Sequence, residues 1–186
     1  MALASVGRAL PDHYYAQDEL LAALTRLWGD RFHNKARLEQ IHRNVLVGGR
    51  HLALPIDEYP RLTSFTATND AFIRCATELG ARAIGAALEQ AELVPGDIDH
   101  LMFVSSTGIA TPSIDARMVN RLGLSERVKR TPMFGLGCVA GAAGVARLTD
   151  YLAAYPEQIA VLLSVELCSL TLQMRDTSIA NIISSG

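Results

Sequence analysis

The sequence predicts a layered α/β fold in which short apolar strands alternate with amphipathic helices. Strands are expected at 101–105, 131–136 and 159–165, because each is a brief apolar run bounded by turn residues. Helices are expected between them at 114–122 and 139–155, where apolar residues recur at helical spacing. In the second helix, Val145, Leu148 and Leu152 are expected to share one face. Strands that alternate with helices in this way favour a layered α/β unit.

The residues ahead of these elements are predicted to form one strand and three helices. The strand is expected at Ser5–Leu10, before a turn at Pro11. The first helix is expected at Gln17–Trp28, where four leucines repeat at helical spacing. A short basic helix is expected at Arg37–Asn44, and a long helix at Thr66–Ala91 that a Pro-Gly pair closes.

Composition and charge are typical of an intracellular globular enzyme. The 186 residues suffice for one domain of ordinary size, 49% of them are hydrophobic, and the formal net charge is −2, so no large basic surface for nucleic acid is implied. No apolar run reaches the roughly 18 to 20 residues that span a bilayer, and Met1–Arg8 lacks the features of a signal peptide. We therefore expect a cytoplasmic protein with no nucleic-acid or membrane partner.

The three cysteines are Cys75, Cys138 and Cys168. An odd number of cysteines without paired spacing argues against both a disulfide framework and a zinc site. No metal site is expected, and the thiols are expected to be reduced.

Cys138 lies in the most informative segment of the chain, Phe134-Gly-Leu-Gly-Cys-Val-Ala-Gly-Ala-Ala-Gly144. The segment joins a predicted strand to a predicted helix, so a sharp turn is expected to present the thiol. Glycines at 135 and 137 allow the tight backbone, while Gly141 and Gly144 are expected to let the helix pack closely on the sheet. The N-terminus of a helix favours an anion, which makes Cys138 a candidate nucleophile for acyl transfer. The alternative is an ordinary structural thiol, since cysteine is often buried as a small apolar residue.

Further motifs stand in a fixed order around this segment: Asp99-His-Leu-Met-Phe-Val-Ser-Ser-Thr-Gly-Ile-Ala-Thr-Pro112, Arg121-Leu-Gly-Leu, Val128-Lys-Arg, Gly137-Cys-Val-Ala-Gly141 and Leu163-Ser-Val-Glu-Leu-Cys168. In order and spacing they resemble the type III polyketide synthases, chalcone synthase-like homodimers of the thiolase fold, and in particular the bacterial members. The resemblance implies that Cys138 is loaded with an acyl group from a coenzyme A thioester and then holds the growing polyketide. The resemblance implies coenzyme A thioesters as substrates, and no cofactor is expected.

The length of the chain differs from that of the family it resembles. Family members are roughly twice as long, because the thiolase fold is a duplicated half. Residues 1–186 are therefore expected to be the N-terminal thiolase-like half of a truncated or partly recorded protein. The resemblance places the catalytic His and Asn, which activate the thiol and form the oxyanion hole, in the C-terminal half that this sequence lacks.

The resemblance also implies a starter and elongation pocket. Small hydroxyl residues at strand ends are ordinary turn residues as well, and Cys168 has a packing role as its alternative. Thr111 stands where chalcone synthases carry a Met that reaches into the partner subunit's cavity, and Val139 replaces a Phe of the plant enzymes. These smaller side chains predict a pocket for aliphatic starters. The six pocket residues are Ser106, Thr107, Thr111, Val139, Cys168 and Thr171.

Cations are needed where the phosphates of coenzyme A enter. The family's basic triad falls at Arg37, Gln40 and Asn44, so only Arg37 matches, and Arg43 or Lys35 could substitute for the others. The alternative for each is a solvated surface charge.

Two further polar residues were assigned structural roles. Glu166 follows an apolar strand, where an unpaired buried carboxylate is costly, and the resemblance implies that it braces the active-site backbone by hydrogen bonds. His42 matches no catalytic position of the family and is expected at the surface or as a helix cap.

The function predicted from these features is an acyltransferase that loads an acyl-CoA starter on Cys138, extends it by decarboxylative condensation with malonyl-CoA, and cyclises it to a pyrone, resorcinol or similar product. The expected partners are acyl-CoA, malonyl-CoA and a second copy of the chain. One alternative is a condensing enzyme like the initiating ketoacyl synthase of fatty-acid synthesis, which takes its extender from an acyl carrier protein. Another is a non-catalytic, half-length binding or scaffold protein.

Overall fold

The computed structural model describes residues 2–29, 35–176 and 178–185. The chain divides into two compact units. One comprises Met1–Leu10 and Phe72–Glu166 and is called the sheet unit. The other comprises Pro11–Ala71 and Leu167–Gly186 and is called the hairpin unit.

The hairpin unit is built on a two-stranded antiparallel ribbon of β1 (His13–Ala16) and β2 (Gly49–Leu52). Between these strands lie helices α1 (Gln17–Trp28) and α2 (Lys35–Asn44), and α6 (Ile179–Ser185) belongs to the same unit. Helix α1 begins where the Glu19 carboxylate accepts a hydrogen bond of 2.8 Å from the Ala16 N–H. The core of the unit contains Leu24, Trp28 and Leu38, and the indole of Trp28 donates to the Met174 carbonyl at 3.2 Å.

The sheet unit contains a parallel sheet with the order β4-β3-β5. Its strands are β3 (His100–Ser105), β4 (Lys129–Phe134) and β5 (Ala160–Ser164). Every residue of the central strand β3 is buried, as its apolar run predicts. Helices α4 (Ile114–Leu122) and α5 (Ala140–Ala154) connect the strands, so the predicted α/β alternation is confirmed.

Helix α3 (Phe65–Ala91) is assigned to the hairpin unit up to Ala71 and to the sheet unit from Phe72 onward. The segment at Ser5–Leu10, predicted to be a strand, is not one. No strand of the described residues pairs with it, and it is held on α3 instead: the Ser5 hydroxyl donates to the Ala87 carbonyl at 2.7 Å. An extended segment becomes a strand only when a partner strand takes up its backbone hydrogen bonds.

Helix α5 packs on the sheet along a narrow stripe that consists of Ala140, Gly144 and Leu148. A β-carbon at position 144 would lie only 2.6 Å from the Leu162 side chain, so the predicted close approach is confirmed there. The same prediction is wrong for Gly141, which has nothing within 4 Å of that position. Val145, predicted to share the face of Leu148, is 57% exposed because it lies one position beyond the stripe.

Within the described residues, no helix is long and apolar enough to cross a membrane.

Candidate active site

Cys138 lies on the turn between β4 and α5, as the sequence predicts. The strand ends at Phe134, a single 3₁₀ turn runs from Gly137 to Val139, and α5 begins at Ala140. The φ angles of Gly135 and Gly137 are +86° and +58°, in the left-handed region that favours glycine. This backbone leaves the Cys138 side chain exposed. A thiol that is exposed at the start of a helix has the access that a nucleophile needs.

A chain of hydrogen bonds crosses the carboxyl edge of the sheet next to this turn. The N–H of Gly137, after β4, donates to Ser106 Oγ at 3.0 Å. The backbone N–H of Ser106, after β3, donates to both carboxylate oxygens of Glu166, at 2.9 and 3.1 Å. The Thr107 hydroxyl donates to the same carboxylate at 2.7 Å. Because Glu166 follows β5, the bonds run across the edge in the order of the strands. The bracing role predicted for Glu166 is confirmed.

The loop after β3 carries the predicted pocket residues Ser106, Thr107 and Thr111. The loop packs tightly on α3, since a β-carbon at Gly108 would lie 2.1 Å from the Phe72 ring. Thr111 is exposed and precedes a cis peptide bond to Pro112. Val139, directly after the thiol, is 59% exposed. The structure thus brings Ser106 to the turn of Cys138 through its hydrogen bond with Gly137. The pocket roles of Ser106, Thr107, Thr111 and Val139 stay predictions.

Cys168 and Thr171 belong to the hairpin unit, where they form the two ends of a 3₁₀ turn. Both are exposed, and the Thr171 hydroxyl donates to the Cys168 carbonyl at 2.7 Å. That bond closes the turn locally. The role of these two residues in a substrate pocket therefore stays a prediction.

The predicted coenzyme A contacts lie on α2 of the hairpin unit. Arg37 and Arg43 are both exposed, and Lys35 begins the helix while its side chain lies outside the described part of the structure. Exposed guanidinium groups on a helix fit either a phosphate contact or a solvated surface, so their role stays a prediction.

His42, expected at the surface or as a cap, is instead only 1% exposed. The Gln17 side-chain amide donates to Nδ1 at 3.1 Å, and Nε2 lies 3.2 Å from the Ser185 hydroxyl. This pattern fits a neutral ring with its proton on Nε2. Burial, and then the charge of Arg50, lowers the pKa of His42. The prediction is wrong because the helical spacing of α2 turns His42 inward together with Leu38, four residues earlier.

Two polar contacts in the sheet unit were missed by the sequence analysis. The fully buried Asp115 of α4 accepts a hydrogen bond of 2.8 Å from Arg130 of β4. At the same, amino end of the sheet, Nε2 of buried His100 lies 2.9 Å from the Thr131 hydroxyl, and the ring packs edge-on against Tyr151 of α5. Burial, and then the charge of Lys129, lowers the pKa of His100. A single acid or histidine in an amphipathic pattern carries no signal for its partner.

Comparison with known proteins shows the family to which the chain is similar. A family profile described as "Chalcone and stilbene synthases, N-terminal domain" matches residues 1–180. The 1,3,6,8-tetrahydroxynaphthalene synthase of Streptomyces peucetius subsp. caesius is 48% identical over 185 residues, which cover 100% of this chain and 49% of that protein. A putative chalcone synthase of Bacillus subtilis is 34% identical, with 98% of this chain and 51% of that protein covered.

Solved structures show the same relationship. The 1,3,6,8-tetrahydroxynaphthalene synthase of Streptomyces coelicolor A3(2), a bacterial type III polyketide synthase, matches with a TM-score of 0.89 and 29% identity, over 97% of this chain and 53% of that one. PKS-I of the brown alga Ectocarpus siliculosus matches with a TM-score of 0.91 and 28% identity, over 99% of this chain and 52% of that one. The chain spans about half the length of each of these relatives. With this profile match and this fold, the chain belongs to the chalcone and stilbene synthase family of type III polyketide synthases, and it corresponds to the N-terminal half of its members.

Proposed function

We propose that the protein containing this chain is a polyketide synthase that carries its acyl intermediates on Cys138. The observation that supports this role most directly is the exposed thiol on a turn with two left-handed glycines, at the start of α5. The same turn is tied to the ends of the two neighbouring strands by the Ser106 and Glu166 hydrogen bonds. A fixed nucleophile next to a loop of small residues suits acyl transfer to a bound thioester.

The proposed loading step transfers an acyl group from coenzyme A to Cys138. The thiol gives its proton to a base, Sγ attacks the thioester carbonyl, and the bond from that carbon to the coenzyme A sulfur breaks. Malonyl-CoA then loses carbon dioxide, and the resulting carbanion attacks the Cys138 thioester. This forms a carbon–carbon bond, releases the Cys138 thiolate and leaves an acyl-CoA longer by one acetyl unit. We assign the His and Asn partners implied by the family resemblance to sequence outside these 186 residues.

The product class follows in part from the relatives. The 48% identical relative is named 1,3,6,8-tetrahydroxynaphthalene synthase, and a 33% identical one from Pseudomonas fluorescens is named phloroglucinol synthase. A polyhydroxylated aromatic product is therefore the second candidate beside the pyrone or resorcinol from an aliphatic starter. Incubation with malonyl-CoA alone and with added long-chain acyl-CoA, followed by product mass spectrometry, separates the two.

The proposal also covers the binding of coenzyme A, the oligomeric state and the cellular compartment. Arg37 and Arg43 are proposed to contact the phosphates of coenzyme A, and the active protein is proposed to be a homodimer. The protein is proposed to act in the cytoplasm, because three cysteines without paired spacing fit a compartment where thiols stay reduced.

Labelling with acyl-CoA tests the proposed nucleophile. The complete natural protein is incubated with acyl-CoA, digested, and searched for acylated peptides. We expect the adduct at Cys138 and the same adduct in a Cys75→Ala control, since Cys75 lies half-buried on α3. Labelling confined to Cys75 or Cys168 would refute the proposal.

The two alternative functions, a ketoacyl synthase and a half-length scaffold, can be tested by the choice of extender unit and by the behaviour of residues 1–186 made alone. A ketoacyl synthase would condense malonyl units from an acyl carrier protein but not from malonyl-CoA. A half-length scaffold would be active in binding as residues 1–186 alone. We expect that fragment to be inactive and poorly soluble, because apolar side chains near the Cys138 turn, including Phe134 at 61% exposure, are uncovered in it.

A further inference from the structure

The turn that carries Cys138 has no local cap. The 3₁₀ turn that begins at Gly137 is preceded by Leu136, and α5 is preceded by Val139, so neither capping position offers a side-chain oxygen. The first N–H groups of a helical turn have no partner within the turn and are usually satisfied by a side chain at the cap. A hydrogen-bond acceptor from another part of the fold must therefore replace that cap here.

We propose that Ser106 is the positioning residue of the nucleophile turn and supplies this cap from the end of β3. This inference rests on the proposed function of Cys138. Ser106 Oγ accepts the Gly137 N–H at 3.0 Å, and Gly137 is the residue directly before the thiol. The hydroxyl therefore fixes the backbone from which Cys138 projects. Ser106 is also a predicted residue of the substrate pocket, and the hydrogen bond gives it this further role.

The position of Ser106 is itself fixed by Glu166. The carboxylate accepts the Ser106 N–H with both oxygens and also the Thr107 hydroxyl. Hydrogen bonds to an ionised acceptor are stronger than neutral ones, so the loop after β3 is held firmly to the end of β5. Glu166 is thus linked to the thiol through Ser106 and Gly137.

The neighbouring serine provides a matched control. Ser105 is 2% exposed, and its hydroxyl has no hydrogen-bond partner in the described part of the structure. Ser105→Ala and Ser106→Ala make the same chemical change at adjacent positions. Only Ser106→Ala removes the acceptor of Gly137.

The test uses the complete natural protein and measures the rate at which iodoacetamide alkylates Cys138 across a range of pH, with the peptide identified by mass spectrometry. We expect Ser106→Ala to lower the plateau rate about tenfold or more, since small displacements of a reacting group can cost up to about a hundredfold. Ser106→Thr should restore the rate because it keeps the hydroxyl. Ser105→Ala should be alkylated as fast as the wild type. The alkylation rate of Glu166→Ala should lie between those of Ser106→Ala and the wild type.

Kinetics with substrate separate positioning from pocket contact. A positioning role lowers the acylation rate of Cys138 in the same proportion as the alkylation rate and changes KM for acyl-CoA little. A role in substrate contact alone would raise KM and leave alkylation unchanged, which would overturn the proposal. Equal losses of the Cys138 alkylation rate in Ser105→Ala and Ser106→Ala would also overturn the proposal. A Ser106→Thr variant that is alkylated as slowly as Ser106→Ala would overturn it too.

A measurement on the wild type covers the case in which Ser106→Ala does not fold. Hydrogen exchange resolved at Gly137 should show a protected amide, and an unprotected amide there would overturn the proposal. The proposed function is tested separately. If wild-type Cys138 is alkylated by iodoacetamide but acylated by no coenzyme A thioester, the polyketide synthase role is refuted. The alkylation rates of the variants still test the positioning role of Ser106 in that case.

Discussion

The two units of the chain hold their predicted site residues in different ways. In the sheet unit, residues that follow three parallel strands are joined by hydrogen bonds, from Gly137 through Ser106 to Glu166. In the hairpin unit, Cys168 and Thr171 are bonded to each other within one turn, and Arg37 and Arg43 are exposed on α2. Parallel strands bring distant residues to one edge, whereas a local turn uses its polar groups to close itself. The hydrogen bonds of the sheet unit therefore point to a catalytic site, whereas the residues of the hairpin unit fit either a binding site or a structural role.

The largest difference between the units is expected for their thiols. Cys138→Ala should lower condensation about a thousandfold or more, because the acyl group loses its attachment atom. Cys168→Ala should change the distribution of products while condensation continues. Turnover with labelled malonyl-CoA measures both, and Cys75→Ala serves as the control. Equal losses at positions 138 and 168 would remove the distinction between the two units.

The next effect concerns buried polar contacts. Asp115→Ala in the sheet unit leaves Arg130 without its buried partner and should lower the free energy of unfolding by about 2–3 kcal/mol, at the low end for buried pairs because Arg130 is partly exposed. Tyr59→Phe in the hairpin unit removes a neutral bond of 2.7 Å to Ser169 and should cost about 1 kcal/mol. Urea unfolding gives both values, and the reverse order would contradict this ranking.

Backbone conformation at the nucleophile turn gives a somewhat smaller effect on stability. Gly137→Ala places a β-carbon at a φ of +58° and should cost about 1–2 kcal/mol. Gly141→Ala, in the open space on α5, should stabilise the helix by about 0.5–1 kcal/mol. Thermal unfolding of the two variants measures the difference. A stable Gly137→Ala variant with full alkylation of Cys138 would show that the turn does not require glycine.

Starter selection is expected to change by smaller steps. Thr111→Phe in the sheet unit and Cys168→Phe in the hairpin unit should each shorten the preferred aliphatic starter, with about 0.8 kcal/mol lost for each methylene that no longer fits. Competition between acyl-CoA substrates of different length measures the shift. An unchanged preference in both variants, or a wild-type preference for aromatic starters, would refute the aliphatic pocket.

The smallest effect is expected from pH, through one histidine in each unit. Burial lowers the pKa of His42 and of His100, so each folded unit favours the neutral ring. The unfolded chain then binds more protons between the folded pKa and the ordinary value of about 6.5, and stability is lost as pH falls through that window. Unfolding of His42→Gln and His100→Gln between pH 7 and pH 5 should show a smaller loss than the wild type. If both variants lose as much stability as the wild type does, these two histidines are not the cause of the loss at low pH.

The parallel strands of the sheet unit and helices of both units could be predicted from the sequence, since apolar runs and helical spacing are strong local signals. The predicted helices at 17–28 and 114–122 match α1 and α4 residue for residue. β2 was missed because Gly49–Leu52 contains one apolar residue and is a strand only through its pairing with β1. The capping bond from Gly137 to Ser106 was missed for a similar reason, because two residues on different strands carry no spacing signal for each other.

The bonds that cross the edge of the sheet also constrain the order in which the molecule can be assembled. Gly137 lies 31 positions from Ser106, and Glu166 lies 60 positions from it. Contacts between such distant residues close large loops, and their entropy cost is recovered only when the intervening strands pair. During synthesis the complete network cannot exist before Glu166 has emerged from the ribosome and β5 has paired with β3. Until then, Cys138 is a thiol in an unanchored peptide, so its reactivity is acquired late in the folding of the chain.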